Sequence, residues 1–142
     1  KRYERREIRD AIAYLRVVAN SADDLAFERI INVPKRGIGD TTLKTLYDAA
    51  RAQKASLFAA TRALTGTEEL KGKPRTVLRD LIAQFDNWTE RARDQKPDEM
   101  ARQILDESGY TEMWQQDKAP DSPGRLDNLK ELTDSMAEYD TL

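Results

Sequence analysis

Wherever apolar residues recur regularly in this sequence, they do so every three or four positions, and no stretch alternates with a period of two. That spacing gives helices with one buried face and leaves nothing from which to build a sheet. Over Glu4–Ala19 the stripe is Ile8, Ile12, Leu15 and Val18. A second helix, roughly Asp24–Asn32, offers Leu25, Phe27, Ile30 and Ile31, with Ser21 as its cap and Asp24 three residues on. Pro34 stops it, because the residue before a proline is pushed out of the helical region. Asp40 stands where the cap of a third helix belongs, ahead of Leu43, Leu46, Tyr47 and Ala50.

Ser56 is placed to cap a short fourth helix through Leu64, with Gly66 just beyond it. Pro74 suits the first turn of a long fifth helix, whose inner stripe is Val77, Leu78, Leu81, Ile82, Phe85 and Trp88. Lys96-Pro97-Asp98 breaks the chain before Met100, Ile104 and Leu105, and Gly109 stops that sixth helix. One or two turns over Tyr110–Asp117 carry Met113 and Trp114. Ala119-Pro120-Asp121-Ser122-Pro123-Gly124 is an exposed, mobile loop by composition. The last helix, about Arg125–Tyr139, sets Leu126, Leu129, Leu132, Thr133 and Met136 on one face. The expected fold is all-α: an irregular bundle of about eight helices in one domain, residues 1–142.

That length suffices for a single core. The chain has no cysteine and no histidine, which removes thiolate sites, the commonest metal ligand and the commonest general base near neutral pH. No apolar run approaches the roughly 18 residues of a membrane span, so a soluble cytoplasmic protein is expected. The formal net charge of −2 conceals an asymmetry. Residues 1–54 carry twelve Lys/Arg against eight Asp/Glu, whereas residues 96–142 carry five against twelve. One face for a polyanion and another for a different partner would produce that pattern, and so would a solvated surface that drifted. The chain lacks an initial Met and ends at Thr141-Leu142 without a stop signal, as a piece of a longer protein would.

One segment departs from helix and plain loop. In Val33–Thr42, Gly37 and Gly39 flank Ile38 at the mouth of a helix, after Lys35 and Arg36 and before Asp40, Thr41 and Thr42. Glycines let a ligand come close to main-chain N–H groups, and a helix start adds unpaired donors and a positive dipole end. Together with the two cations this makes an anion seat suited to phosphate. An Asp40 carboxylate cap would compete for those donors. The other reading is a tight interhelical turn, with Ile38 as a core plug and Lys35 and Arg36 merely solvated.

Other constellations are weaker. Asp98/Glu99 and Asp106/Glu107 pair carboxylates, but no basic partner recurs nearby, which marks a solvated face. Trp88 and Trp114 are candidates for stacking on bases, yet both extend apolar stripes and fit the core better, and Tyr14 and Tyr47 are similar. No Gly-x-x-x-x-Gly-Lys-Ser/Thr loop occurs, so nucleotide hydrolysis has no seat. No catalytic, cofactor-binding or metal-binding set is expected here.

Tyr3-Glu4-Arg5-Arg6-Glu7-Ile8-Arg9-Asp10-Ala11 with Ala13-Tyr14-Leu15-Arg16, followed by the block from Asp23 through Val33-Pro34-Lys35-Arg36-Gly37-Ile38-Gly39-Asp40-Thr41-Thr42-Leu43, resembles subdomain 2B of superfamily 1A DNA helicases of the UvrD/PcrA/Rep type. Leu126–Leu132 is similar in pattern only. The resemblance implies a helical insertion that swivels on the second RecA-like domain. It also implies a helix-hairpin-helix-like element that touches the duplex backbone ahead of the unwinding junction. Lys35, Arg36, Gly37, Ile38, Gly39, Thr41 and Thr42 become the candidate DNA-binding set. In the common hairpin pattern proline directly precedes the first glycine; here Lys35-Arg36 intervene.

The implied parent is a bacterial, nucleoid-associated helicase moving 3′ to 5′ on single-stranded DNA with ATP and Mg²⁺, in repair, replication or recombination. Its ATP site lies outside this segment. Implied partners are duplex DNA at a single-strand/double-strand junction, the parent's other domains and repair proteins, with no membrane. The alternative function is a protein-interaction or autoinhibitory module with little DNA contact, bound through the acidic last third.

Overall fold

A computed structural model describes residues 5–139 and 142. Eight α-helices follow one another: α1 Arg6–Ala19, α2 Asp24–Ile30, α3 Asp40–Gln53, α4 Leu57–Thr65, α5 Gly72–Arg91, α6 Pro97–Glu107, α7 Tyr110–Gln116 and α8 Ser122–Ser135. A 3-10 turn, Met136–Glu138, ends the series, and there is no strand among the described residues. The expected all-helical irregular bundle is what forms.

α1 is the central strut, packed against α2, α5, α6 and α8. α2, α3 and α4 form one lobe, and α6, α7 and α8 another; α5 crosses between α4 and α6. Where the lobes meet, Tyr14, Phe27, Phe85, Trp88 and Tyr110 are wholly buried. The Phe85 ring meets Trp88 edge-on at 5.0 Å and stacks with Tyr14 at 6.0 Å, arrangements favoured by the quadrupoles of the rings. The reading of Trp88, Trp114 and Tyr14 as core holds. Tyr47 is half-buried, and its hydroxyl bonds to Glu28.

The helix boundaries differ from expectation where capping is contested. Ser56 caps α4 as expected, accepting from Ala59 N at 3.1 Å, and Gly66 closes that helix. α2 is capped by Asp23, not Ser21: its carboxylate accepts from Ala26 N at 3.1 Å. An anion also gains from the helix dipole, which a hydroxyl does not. Asp24 is unavailable for a capping box because it accepts from Leu57 N at 2.9 Å, tying α2 to α4. Leu25, expected in the core, is 82% exposed. The Ala119–Gly124 loop is shorter than its composition suggests. α8 starts at Ser122, which is buried and donates its hydroxyl to the Trp114 carbonyl.

Two of the paired carboxylates do have basic partners: Asp98 accepts from Arg102, four residues on, at 3.0 Å, and Glu107 from Arg91, sixteen residues back. Arg91 holds its two oxygens at 2.7 and 2.8 Å, and Trp88 Nε1 donates to it at 3.0 Å. The hydrogen bonds from Arg91, helped by that from Trp88, hold this carboxyl below the usual range against the opposing effect of burial. A carboxylate with a lowered folded pKa contributes stability above its unfolded value, about 4.3, and loses it as pH falls through the folded value. Glu107→Gln is therefore expected to flatten the acid limb of a plot of urea midpoint against pH. An acid limb identical to wild type would refute this.

α1 and α8 lie side by side. Buried Glu7 on α1 accepts from Asn128 Nδ2 at 2.9 Å and Arg125 Nη1 at 3.4 Å on α8. A domain inserted into a longer chain is also expected to bring Tyr3 near Tyr139, and Tyr3 lies outside the described residues.

Candidate nucleic-acid interface

Between α2 and α3 the backbone is held by side chains of its own neighbourhood. The Asn32 side-chain carbonyl accepts from the main-chain N–H of Arg36 at 2.7 Å and of Ile38 at 3.1 Å. Arg36 folds its guanidinium back under the loop. Its Nη1 donates to the carbonyls of Ile30 at 2.8 Å and of Ile31 and Val33 at 3.2 Å each, and lies 3.4 Å from that of Pro34. Its Nη2 donates to the Tyr14 hydroxyl at 2.6 Å, and that hydroxyl donates in turn to the Val33 carbonyl. Burial raises the Tyr14 pKa, with Arg36 opposing, so the phenol keeps the proton it donates.

Of the seven expected site residues, two therefore point inward. Arg36 is half-buried on the loop's own carbonyls, and Ile38 is buried in the core. Lys35, Gly37, Gly39 and Thr41 are exposed and Thr42 is half-buried. Lys35 has no ion-pair partner among the described residues.

The glycines differ in purpose. Gly37 has φ +78°, a left-handed conformation that side chains rarely adopt. Gly39 has φ −100° and ψ −169°, open to any residue, and a Cβ there would meet nothing within 4 Å. Gly39, not Asp40, is the cap residue of α3; Asp40 lies one position inside, and no side chain caps this helix. Asp40 thus makes no capping hydrogen bond to the first-turn amides, and its exposed carboxylate stays in the first turn of α3. The first turn of α3, which no side chain caps, lies beside exposed Gly37, Gly39 and Lys35, and a helix start of this kind can hold an anion. Asn32 and Tyr14 did not stand out in the sequence as site residues. The only signal for Asn32 was its place at a helix end ahead of Val33-Pro34, where such side chains fasten turns.

The sequence profile of the UvrD-like helicase C-terminal domain matches residues 1–142. This chain belongs to that family. A probable DNA helicase II homolog of Rickettsia felis is 43% identical over 140 residues, covering 99% of this chain and 21% of that protein. DNA helicase II of Escherichia coli is 34% identical over 137 residues, covering 96% of this chain and 19% of that protein. The ATP-dependent DNA helicase PcrA of Staphylococcus epidermidis is 33% identical over 143 residues, again 99% and 19%. This member of the UvrD-like C-terminal family thus spans about a fifth of the length of the curated relatives it matches. No helix among its described residues is long and apolar enough to cross a membrane.

Proposed function

We propose that this chain is subdomain 2B of a bacterial ATP-dependent 3′–5′ DNA helicase, and that it rests on the duplex backbone beside the single-strand/double-strand junction. Contact runs through the ammonium of Lys35, the open backbone at Gly37 and Gly39, and the first turn of α3 with Thr41 and Thr42. Arg36 and Ile38 shape that surface from beneath. The uncapped start of α3, next to glycines on which a ligand meets no side chain, carries this reading. ATP and Mg²⁺ belong to parts of the parent outside this segment, which has no phosphate loop. The setting is the bacterial cytoplasm, at the nucleoid.

Binding should be weak and nearly indifferent to sequence, since the contacts go to phosphates. Titrating a labelled duplex–tail junction across salt concentrations tests it. Lys35→Ala is expected to flatten the log–log salt dependence by about 0.9 with no loss of folding, one phosphate's share. Gly39→Val should mainly shift the intercept, because a branched side chain fills the approach while leaving charge unaltered. It would cost about 1 kcal/mol in cap preference. Unchanged affinity and slope in both variants would remove the DNA contact and leave the module that binds the parent's domains or a repair partner.

A further inference from the structure

A second surface, on the α1–α2 face, has a different chemistry. Leu25 is 82% exposed; among the described residues the only other large apolar side chain so open is Tyr139, beside the chain end. It stands at the rim of a groove of about 590 Å³, a size typical of binding clefts. The floor is apolar: Ile12, Ala13 and Ala26, the last two about 5% exposed or less.

The walls are cationic. Arg9 has no partner among the described residues. Arg16 is 66% exposed at the side chain and only 3.9 Å from Asp23, a loose pair. Arg29 donates Nε to buried Asp10 at 2.8 Å, which fixes the guanidinium at the edge of the groove. Three guanidinium groups stand against two carboxylates, half-buried Asp23, which also caps α2, and buried Asp10, which holds Arg29.

We propose that this groove docks an acidic segment of a separate partner protein, with an aliphatic side chain seated against Leu25 and flanking carboxylates paired with Arg9, Arg16 and Arg29. Planar guanidinium groups take carboxylates in a two-pronged fashion, and an exposed leucine among them supplies the apolar anchor of a small interface. Nucleic acid fits this groove less well. The lining has neither an aromatic ring for a base nor a glycine amide for a phosphate, and its centre is aliphatic. The groove also runs along α1 from Arg9 to Arg16, about 10 Å, leading away from the Glu7 seam with α8.

The probe is a sixteen-residue helical peptide bearing two leucines four residues apart among glutamates. Two control versions carry Gln for every Glu, or Ser for both Leu. Amide chemical-shift mapping on this chain is expected to place the acidic peptide on Arg9–Arg16 and Leu25–Arg29. Each control should bind at least about tenfold more weakly, the effect of losing one anchor or its charge pairs. Leu25→Asp and Arg9→Glu alter exposed side chains, so folding should survive; each should weaken peptide binding by about tenfold or more. Lys35→Ala should leave peptide binding unchanged, and Leu25→Asp should leave junction-DNA binding unchanged, so this proposal and the DNA-contact reading fail separately. Shifts elsewhere, no shifts, or equal binding of the Gln peptide would overturn it. So would junction DNA shifting these same residues. Binding to this chain but not to a longer chain carrying the flanking domains would assign the groove to the parent itself, and the proposal would fail.

Discussion

Trp88→Ala is expected to cost about 4 kcal/mol of folding stability, the typical loss when a fully buried large aromatic is truncated. Trp88 is 0% exposed and packs edge-on against Phe85 at 5.0 Å and Tyr14 at 6.3 Å, where the two lobes share one core. Alanine leaves a cavity that the helices packed on α5 would have to collapse around, and it removes the indole N–H bond to a Glu107 oxygen that Arg91 continues to hold. Domains of this kind are stable by roughly 5–15 kcal/mol, so the loss is a large share of the total. Trp88→Phe keeps most of the ring contact and removes only the hydrogen bond, so about 1 kcal/mol plus a small packing term should go. Urea unfolding of both variants checks this. If Trp88→Ala loses less than about 1 kcal/mol, the lobes do not depend on this shared core.

The helices are legible because a buried stripe repeats with the period of the helix itself, and α5 displays it over about three turns, from Val77 to Trp88. Periodicity weakens in short segments. α2 has seven residues, and Leu25 and Phe27, two positions apart, point to nearly opposite sides of it. Only one can enter the core; Phe27 does, against Phe58 and Phe85. Caps are legible where one candidate stands alone, as at Ser56, and ambiguous where several polar residues adjoin, as at Ser21-Ala22-Asp23-Asp24. There the choice falls to whichever side chain the incoming chain direction aims at the free amides. The Arg91–Glu107 pair was hidden because it joins α5 to α6 across a turn, and local spacing carries no trace of it. In the candidate interface, Gly37, Gly39 and Lys35 lie on the exposed face that the residue pattern suggested. Arg36 does not, because its position is decided by a tyrosine twenty-two residues away.

That inward arginine yields the sharper test. Arg36→Ala is expected to destabilise the chain by about 3 kcal/mol, since it withdraws a charged donor from several largely buried carbonyls at once. For a chain of this size that is a fall of roughly 10 °C in Tm. Arg36→Lys should recover little of it. An ammonium on a flexible stem cannot serve the carbonyls of Ile30, Ile31 and Val33 together with the Tyr14 hydroxyl. A phosphate-contacting arginine would behave in the opposite way: alanine would flatten the salt slope by about 0.9 at nearly unchanged Tm, and lysine would restore much of the binding. Tyr14→Phe removes the hydroxyl that joins Arg36 to the Val33 carbonyl. Paired with Arg36→Ala in a double-mutant cycle, it should show a coupling of at least about 0.5 kcal/mol, because the two side chains hold the same loop. DNA binding by Arg36→Ala should then fail through loss of the loop's shape, while Lys35→Ala, with its Tm intact, loses one phosphate contact. If Arg36→Ala keeps its Tm within about 2 °C, the loop does not rest on the guanidinium. Arg36 would then rejoin Lys35 among the groups free to reach DNA.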